Sequence, residues 1–170
     1  GSEMCIRDRV AGVLGGFAIN GFFMDNESLE DNILDVKVGS EAPDFTLRDS
    51  NGNSFNLSDF ENEKVVVLEF MNMGCGSCHS FEKNVLKSYC NSTTMPEDVE
   101  VISLTQTEDV SQEDLEERAE GKNWAYVFGS EEMTDAFGAD RSPSIVIIDK
   151  DGIVTFSESG PMTESESVSY

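Results

Sequence analysis

Apolar side chains recur along this chain at two spacings, one typical of strands and one typical of helices. Residues 45–48 and 54–57 alternate apolar with polar positions, and Asn51 and Gly52 between them are a strong signal for a tight turn. These two segments therefore predict a β-hairpin at the start of the folded region.

Two nearly continuous apolar runs, residues 65–70 and 99–104, are typical of strands that a sheet buries on both faces. A similar run at residues 144–149 is followed by a turn at residues 151–152 and by a short apolar segment at residues 153–156. The last two segments predict a hairpin that closes the sheet.

Segments with helical spacing separate these strands. Residues 77–89 place four apolar side chains on one stripe, namely Phe81, Val85, Leu86 and Tyr89. Two more helices are predicted from a serine before the first turn and a glycine after the last, and they run from Ser111 to Gly121 and from Ser130 to Gly138. The alternation of strands and helices predicts an α/β layer domain over residues 38–170.

Composition and charge exclude several classes of partner and of site. The chain has 170 residues, 34 acidic against 11 basic side chains and a net charge of −23. This charge argues against nucleic acid as a partner and against docking on anionic lipid head groups. One histidine, His79, excludes metal sites built from several histidines, and four cysteines are too few for a disulfide scaffold.

The N-terminal 37 residues predict three segments that precede the domain. Residues 1–9 resemble the translation of a common sequencing adapter, so they are left out of the fold. Residues 10–24 are uncharged and mostly apolar, and as a helix they would span about 22 Å, less than a bilayer core. They are either the remainder of a signal anchor or signal peptide, or a glycine-rich core segment. The acidic linker at residues 25–37 favours the first interpretation.

A helix is also predicted at the C-terminal end of the domain. Thr163 and Glu166 have the spacing of a capping box that begins a helix, yet the sequence continues for only four residues after Glu166. We therefore expect the C-terminal helix to be truncated.

Cys75 and Cys78 enclose Gly76 and Ser77 between the predicted strand at residues 65–70 and the start of a predicted helix. Unpaired N–H groups and the dipole at a helix N-terminus stabilise a thiolate and lower the pKa of the first cysteine. Two intervening residues let the second sulfur reach the first and close a disulfide. The motif predicts that Cys75 attacks and that Cys78 resolves the mixed disulfide.

Two further residues stand out near this motif. Glu69 lies inside the apolar run, six residues before Cys75. Burial would raise the pKa of its carboxyl and make it a proton acceptor for the Cys78 thiol, whereas the alternative is a glutamate at the strand end that reaches solvent. Pro143 marks the start of the strand at residues 144–149, because proline cannot donate to a sheet.

These motifs occur together in one order along about 120 residues. In sequence they are residues 39–47 (GSEAPDFTL), 51–52 (NG), 57–60 (LSDF), 65–70 (VVVLEF), 75–78 (CGSC), Pro143 and residues 148–152 (IDKDG). The order resembles the TlpA/ResA-like branch of the thioredoxin-fold thiol–disulfide oxidoreductases.

The resemblance implies a thioredoxin-like three-layer α/β fold, in which helices flank a mixed central sheet and an N-terminal β-hairpin extends it. It implies that Cys75 is exposed and that a cis bond precedes Pro143 beside the disulfide. It implies that Glu69 takes the position of the buried acid of thioredoxin. The backbone of Ser142 would pair with the substrate, and the implied substrate contacts are Ser142, Pro143, Gly76 and Ser77.

The chain departs from this family at three positions. Met73 and Gly74 stand where a tryptophan usually precedes the first cysteine. Lys83 replaces a proline five residues after the second cysteine, and Phe81 replaces a glutamate, although Glu82 is adjacent. These differences concern partner specificity and redox potential rather than thiol chemistry.

Four alternatives use the same residues. Cys75, Cys78 and His79 also spell the attachment motif of c-type haem, and a zinc site would need Cys90 and His79 to join the pair. A peroxiredoxin-like thiol peroxidase would share the Ala-Pro-Asp-Phe opening, but that family has a threonine where this chain has Asn72. A redox-inert binding module is the fourth.

We expect a thiol–disulfide oxidoreductase that exchanges electrons with protein disulfides outside the cytoplasm and is tethered to a membrane through its N-terminal segment. The Cys75–Cys78 disulfide would carry the electrons, so no dissolved cofactor and no metal is expected. Its partners would be substrate proteins and a membrane or extracytoplasmic redox partner, and we expect a monomer. Cys90 is expected to be a small buried side chain, with a regulatory thiol as the alternative. The direction of electron transfer stays open.

Overall fold

The computed structural model describes residues 36–107 and 109–160. Strands and helices alternate along them, as the periodicity predicts. The strands are β1 (Thr46–Asp49), β2 (Ser54–Asn56), β3 (Val65–Met71), β4 (Val99–Thr105), β5 (Ala125–Phe128), β6 (Ser144–Ile148) and β7 (Val154–Ser159).

The helices pack on the sheet that these strands form. They are α1 (Gly76–Phe81), α2 (Lys87–Cys90), α3 (Gln112–Ala119) and α4 (Glu131–Ala136), with a 3-10 turn at Leu57–Phe60. A π-helical turn, Glu82–Leu86, joins α1 to α2. The predicted serine caps are confirmed, because Ser111 and Ser130 each accept a bond from the third backbone N–H of α3 and α4.

The strands form one mixed sheet in the order β2-β1-β5-β4-β3-β6-β7. β3 lies inside it, parallel to β4 and antiparallel to β6. The predicted hairpin is present as β1 and β2, and β1 also pairs with β5, which joins the hairpin to the sheet. The expected α/β class, with a mixed sheet and an added hairpin, is confirmed.

β5 is a strand that the sequence analysis did not predict. Its residues, Ala125–Phe128, are a short apolar run that follows Trp124 between two loops. A run this short has little pattern of its own, and it becomes a strand because β4 pairs with it on one side and β1 on the other. Strand propensity in such a segment depends on its neighbours in the sheet.

The side chains of β3 alternate between two hydrophobic cores. Val66, Leu68 and Phe70 face the core that also contains Phe137, which follows α4. Met71 faces the other core, which contains residues of α1, α2 and α3. Because strand side chains alternate, Glu69 points to the same face as Met71, towards these helices.

The helical segment at residues 76–90 confirms part of the predicted stripe, because Leu86 is buried and Phe81 packs against the same core. Tyr89 is 40% exposed, and the buried positions are Cys78, Glu82, Leu86 and Cys90. These positions are four residues apart, and the wider π-helical turn helps to keep them on one face. The prediction was wrong at Tyr89 and omitted Glu82, because it assumed regular α-helical spacing and did not consider charged residues.

Most of the segments predicted before the domain lie outside the described residues. These are the adapter-like residues 1–9, the apolar residues 10–24 and residues 25–35 of the linker. The C-terminal helix predicted from Thr163 also lies outside the described residues. Val36 is described and is buried in the core. Among residues 36–107 and 109–160, no helix is long and apolar enough to cross a membrane.

Candidate active site

The two cysteines meet at the start of the helix that follows β3. A tight turn after β3 is held by Asn72, whose carbonyl accepts from the Cys75 N–H at 3.0 Å and whose side chain accepts from the Gly74 N–H at 3.1 Å. Cys75 caps α1, since its Sγ accepts from the Cys78 N–H at 3.0 Å. Cys75 and Cys78 form a disulfide, with their Cα atoms 5.3 Å apart.

The two sulfurs differ in access. Cys75 is half-buried, while Cys78 has no exposed surface. Cys78 packs among Met71, Leu115 and Tyr126 in the core on the helix face of the sheet. Cys75 is thus the sulfur that a substrate can reach, although it is less exposed than the resemblance implies.

A loop that contains a cis peptide bond lies beside the disulfide. The bond joins Ser142 to Pro143, as the resemblance implies. Ser77 Oγ lies 3.2 Å from Cys75 Sγ and donates to the Ser142 carbonyl at 3.4 Å. The structure therefore brings the residues between the cysteines to the segment before β6. Gly76 is exposed in the first turn of α1, where an added Cβ would meet nothing within 4 Å.

Glu69 is completely buried, so the alternative of a strand-end glutamate that reaches solvent is wrong. Its Oε2 accepts a short hydrogen bond from Ser103 Oγ, which in turn accepts from Trp124 Nε1 at 2.9 Å. Its Oε1 has no hydrogen-bond partner among the described residues. Burial is the largest cause that raises the pKa of Glu69, to about 8, and the charge of Glu82 adds to it.

Glu82 is a second buried carboxylate, which the sequence analysis placed beside a family position without giving it a role. Its Oε1 accepts from Arg118 at 2.8 Å (Nη2) and 3.2 Å (Nε), and its Oε2 accepts from Lys122 Nζ at 2.9 Å. The Glu82 and Arg118 side chains are only 2% and 5% exposed. Glu82 therefore forms ion pairs with two cations, whereas Glu69 accepts a hydrogen bond from one hydroxyl group, that of Ser103.

The sequence reasoning missed Arg118 and Lys122. Arg118 lies in the strongly acidic segment at residues 108–120 and Lys122 just after it, and the acidic composition of this segment predicts a solvated face. That interpretation holds for the acidic side chains at positions 113, 114, 116 and 117, which are exposed, but Arg118 is buried. The one available signal was a basic residue three positions after Leu115, on the same helical face.

The other residues that the sequence analysis singled out are Cys90 and His79. Burial raises the pKa of the Cys90 thiol to about 11 and Cys90 is buried, as expected for a small core side chain. The His79 ring contacts Arg118, with Nδ1 2.9 Å from Nη1. In the part of the chain that the structure describes, no cluster of three or more histidine, cysteine or acidic side chains could hold a metal ion.

Comparison with known proteins agrees with this geometry. The model of the Redoxin family matches residues 37–170. The thiol–disulfide oxidoreductase ResA of Bacillus subtilis is 28% identical over 153 residues, which are 89% of this chain and 80% of that protein. ResA of Geobacillus kaustophilus is 30% identical over 133 residues, which are 77% of this chain and 74% of that protein.

Solved structures show the same fold. The thioredoxin domain of a thiol–disulfide oxidoreductase from Bacteroides vulgatus has a TM-score of 0.62 and 25% identity, and the match covers 72% of this chain and 89% of that one. A thiol:disulfide interchange protein from a Bacteroides species has a TM-score of 0.61 and 25% identity, with coverage of 73% and 82%. The thioredoxin-like fold implied by the resemblance is confirmed.

Replacing Glu69 with glutamine should change how stability depends on pH. A carboxyl whose pKa rises from 4.5 to about 8 on folding favours the folded state below the unfolded pKa, and this contribution is lost as the pH rises towards 8. We expect the wild type to lose stability relative to Glu69→Gln between these two values, by on the order of a few kcal/mol. Urea unfolding of the oxidised proteins at pH 4.5, 6, 7 and 9 measures the difference.

The exposed Glu117 on α3 provides the control for this experiment. Glu117→Gln should follow the wild type across the series, because the carboxyl that it removes is solvated in both states. If Glu69→Gln followed the wild type equally closely, the proposed protonation of Glu69 on folding would be wrong.

Replacing Arg118 with methionine should destabilise the domain by about 3 kcal/mol, because the variant leaves a buried carboxylate without its closest cation. Lys150→Met is the matched control. This variant breaks the 2.6 Å ion pair between Lys150 and Asp98, whose side chains are 43% and 50% exposed. It should lower the free energy of unfolding by less than about 1 kcal/mol. Urea unfolding at pH 7 compares them, and equal costs would show that the buried pair has no special weight.

Proposed function

This chain belongs to the Redoxin family and is a thiol–disulfide oxidoreductase, and we propose that it exchanges electrons between the Cys75–Cys78 pair and the disulfides or dithiols of proteins outside the cytoplasm. One observation carries the proposal: a reachable Cys75 sulfur lies at a helix N-terminus, bonded to a buried Cys78. The matching ResA proteins carry the same activity in their names.

The reduced pair begins the reaction from Cys75. In the disulfide its Sγ accepts from the Cys78 N–H and lies near the Ser77 hydroxyl. In the dithiol these donors and the dipole of α1 would stabilise the Cys75 thiolate, which is the form that attacks. The thiolate attacks one sulfur of a substrate disulfide, a mixed disulfide forms, and the other substrate sulfur leaves as a thiolate.

Cys78 then completes the exchange. Its thiol transfers the proton to Glu69, directly or through water, and the resulting Cys78 thiolate attacks Cys75 Sγ. The substrate's second sulfur leaves as a thiolate and the Cys75–Cys78 disulfide closes, so the substrate gains two electrons and this chain loses two. The pKa of about 8 suits Glu69 to proton transfer near neutral pH.

Substrate backbone would pair with Ser142 at the cis Ser142–Pro143 bond, beside the disulfide. The position of this loop supports that role, since the Ser142 carbonyl is within 3.4 Å of Ser77 Oγ. A peptide that bonds to this carbonyl would lie along the face where Cys75 is accessible.

The alternatives have less support. A c-type haem needs both cysteine sulfurs for the porphyrin, whereas here they bond to each other. Asn72, which stands where peroxidases have a threonine, shapes the turn before Cys75 through its carbonyl and side chain. The geometry thus favours dithiol exchange over haem binding and over a peroxidase.

A titration of the pair against glutathione decides the direction of transfer. A potential near that of thioredoxin, about −270 mV, favours a reductase, and one near about −120 mV favours an oxidant.

Cysteine variants test the roles of the two sulfurs. We expect Cys75→Ser to lower the rate of insulin reduction by roughly two orders of magnitude or more, because the attacking sulfur is lost. Cys78→Ser should instead accumulate a mixed disulfide between Cys75 and the substrate, because the resolving thiol is lost. Non-reducing electrophoresis and intact mass measure this species.

Cys90→Ala is the control for both variants, since Cys90 is buried and outside the disulfide. It should keep the wild-type rate and form no mixed disulfide. A mixed disulfide on Cys78 in the Cys75→Ser variant, at the rate seen for Cys75, would overturn the assignment of the attacking sulfur.

The location outside the cytoplasm rests on the apolar residues 10–24 and the acidic linker that follows. The full chain fused at its C-terminus to alkaline phosphatase, an enzyme active only outside the bacterial cytoplasm, should show phosphatase activity in the membrane fraction. Removal of residues 10–24 should abolish it. Equal activity without this segment would contradict the proposed anchor.

A further inference from the structure

The loop between α4 and β6 carries the cis bond without helix or strand of its own at residues 139–143. A loop of this kind has backbone carbonyls that need partners. One of them, the Ser142 carbonyl, accepts a hydrogen bond from Ser77 Oγ, which also lies next to Cys75 Sγ. The bonds of the others determine how firmly this carbonyl is held.

Gln106 directly follows β4 and joins the two halves of the site through its backbone. Its N–H donates to the Met71 carbonyl at the end of β3 at 3.0 Å. Its carbonyl accepts from Thr134 Oγ1 of α4 at 3.2 Å. Gln106 thus connects the strand that leads to Cys75 with the helix that leads to the loop.

The side chain of Gln106 bonds to three residues of that loop. Its Nε2 donates to the carbonyls of Ala139 and Arg141, the latter at 3.2 Å. Its Oε1 accepts a short hydrogen bond from Ser142 Oγ. A single amide therefore uses its donors and its acceptor on three residues of the loop before Pro143.

We infer that Gln106 is a positioning residue for substrate: its amide holds the loop at residues 139–142 so that the Ser142 backbone is in place before a substrate peptide binds. This inference rests on the proposed function, because it requires that substrate backbone pairs with Ser142. A loop already ordered in the free protein loses less conformational entropy on binding, and that difference appears in affinity.

The amide group, rather than the volume of the side chain, carries this role. Methionine has nearly the same length and shape and would fill the same half-buried space, but it cannot donate to two carbonyls. Gln106 bonds to the loop and to the end of β3, whereas Cys75 Sγ has its contacts with Ser77 and Cys78. Its loss should therefore weaken substrate binding without changing the chemistry of the sulfur.

Gln106→Met tests the inference in two assays on the full chain. The first measures KM and kcat for the reduction of insulin, a disulfide-bonded protein. The second measures the rate at which reduced enzyme reacts with 5,5′-dithiobis(2-nitrobenzoic acid), a small disulfide without a peptide backbone. We expect KM for insulin to rise about five- to tenfold, as for the loss of one or two hydrogen bonds. We expect kcat and the second rate to change less than about twofold.

Gln112→Met is the matched control. Gln112 is also a half-buried glutamine whose Nε2 donates to a backbone carbonyl, that of Ser50 at the hairpin. It should leave KM for insulin within about twofold of the wild type. Ser142→Ala is a milder second variant, which removes only the hydroxyl that Gln106 Oε1 accepts from, and it should raise KM in the same direction by about twofold.

The outcomes separate this inference from the proposed function. A KM rise confined to Gln106→Met and Ser142→Ala supports it. Equal KM values for wild type and Gln106→Met overturn the inference and leave the proposed function intact. A rise in KM that is accompanied by equally large falls in kcat and in the small-disulfide rate does the same. If the wild type reacts with the small disulfide but shows no saturable reduction of insulin, the proposed substrate class fails and the inference falls with it.

Discussion

Two carboxylates buried behind one disulfide impose the main physical constraint on this structure. Glu82 has its charge compensated by Arg118 and Lys122, while Glu69 receives one hydroxyl hydrogen bond and leaves an oxygen unpartnered among the described residues. Like charges in a poorly solvated interior cannot both be ionised at low cost. Burial, and after it the charge of Glu82, raise the pKa of Glu69 to about 8. The face of the sheet against which Cys78 packs thus carries a carboxyl whose pKa suits it to proton exchange near neutral pH.

The sheet brings distant segments to a common edge. Because β3 and β4 are parallel, their C-terminal ends meet there, and Cys75 follows one end while Gln106 follows the other. β6 is antiparallel to β3, and Phe70 lies opposite Ser144, so the start of β6 arrives at the same edge with Pro143. The reacting sulfur, the loop beside it and the residue that holds the loop are together for this reason.

Local signals accounted for part of the site. Cys75 and Cys78 were predictable because a disulfide across two residues at a helix start depends on a few neighbouring residues, and Glu69 because an acid inside an apolar run is costly without a role. β5 and the buried stripe of the helical segment were not predictable in this way. β5 depends on pairing with β1 and β4, and the stripe on a π-helical turn and on cations that arrive from α3.

The chain alone therefore specifies the class of fold, the two sulfurs and the acid behind them, since periodicity, turn residues and motif spacing act over a few positions. The partner of each buried charge is decided only by folding. In the sequence Arg118 is one basic residue among acids, and its role appears only when α3 packs against the helical segment that contains Glu82. Gln106 is an ordinary polar residue in the sequence, and its role appears only when the loop at residues 139–142 contacts it. Hydrogen bonds and ion pairs between residues 30 to 40 positions apart have no local signature, because the contact exists only once the sheet has set both elements side by side.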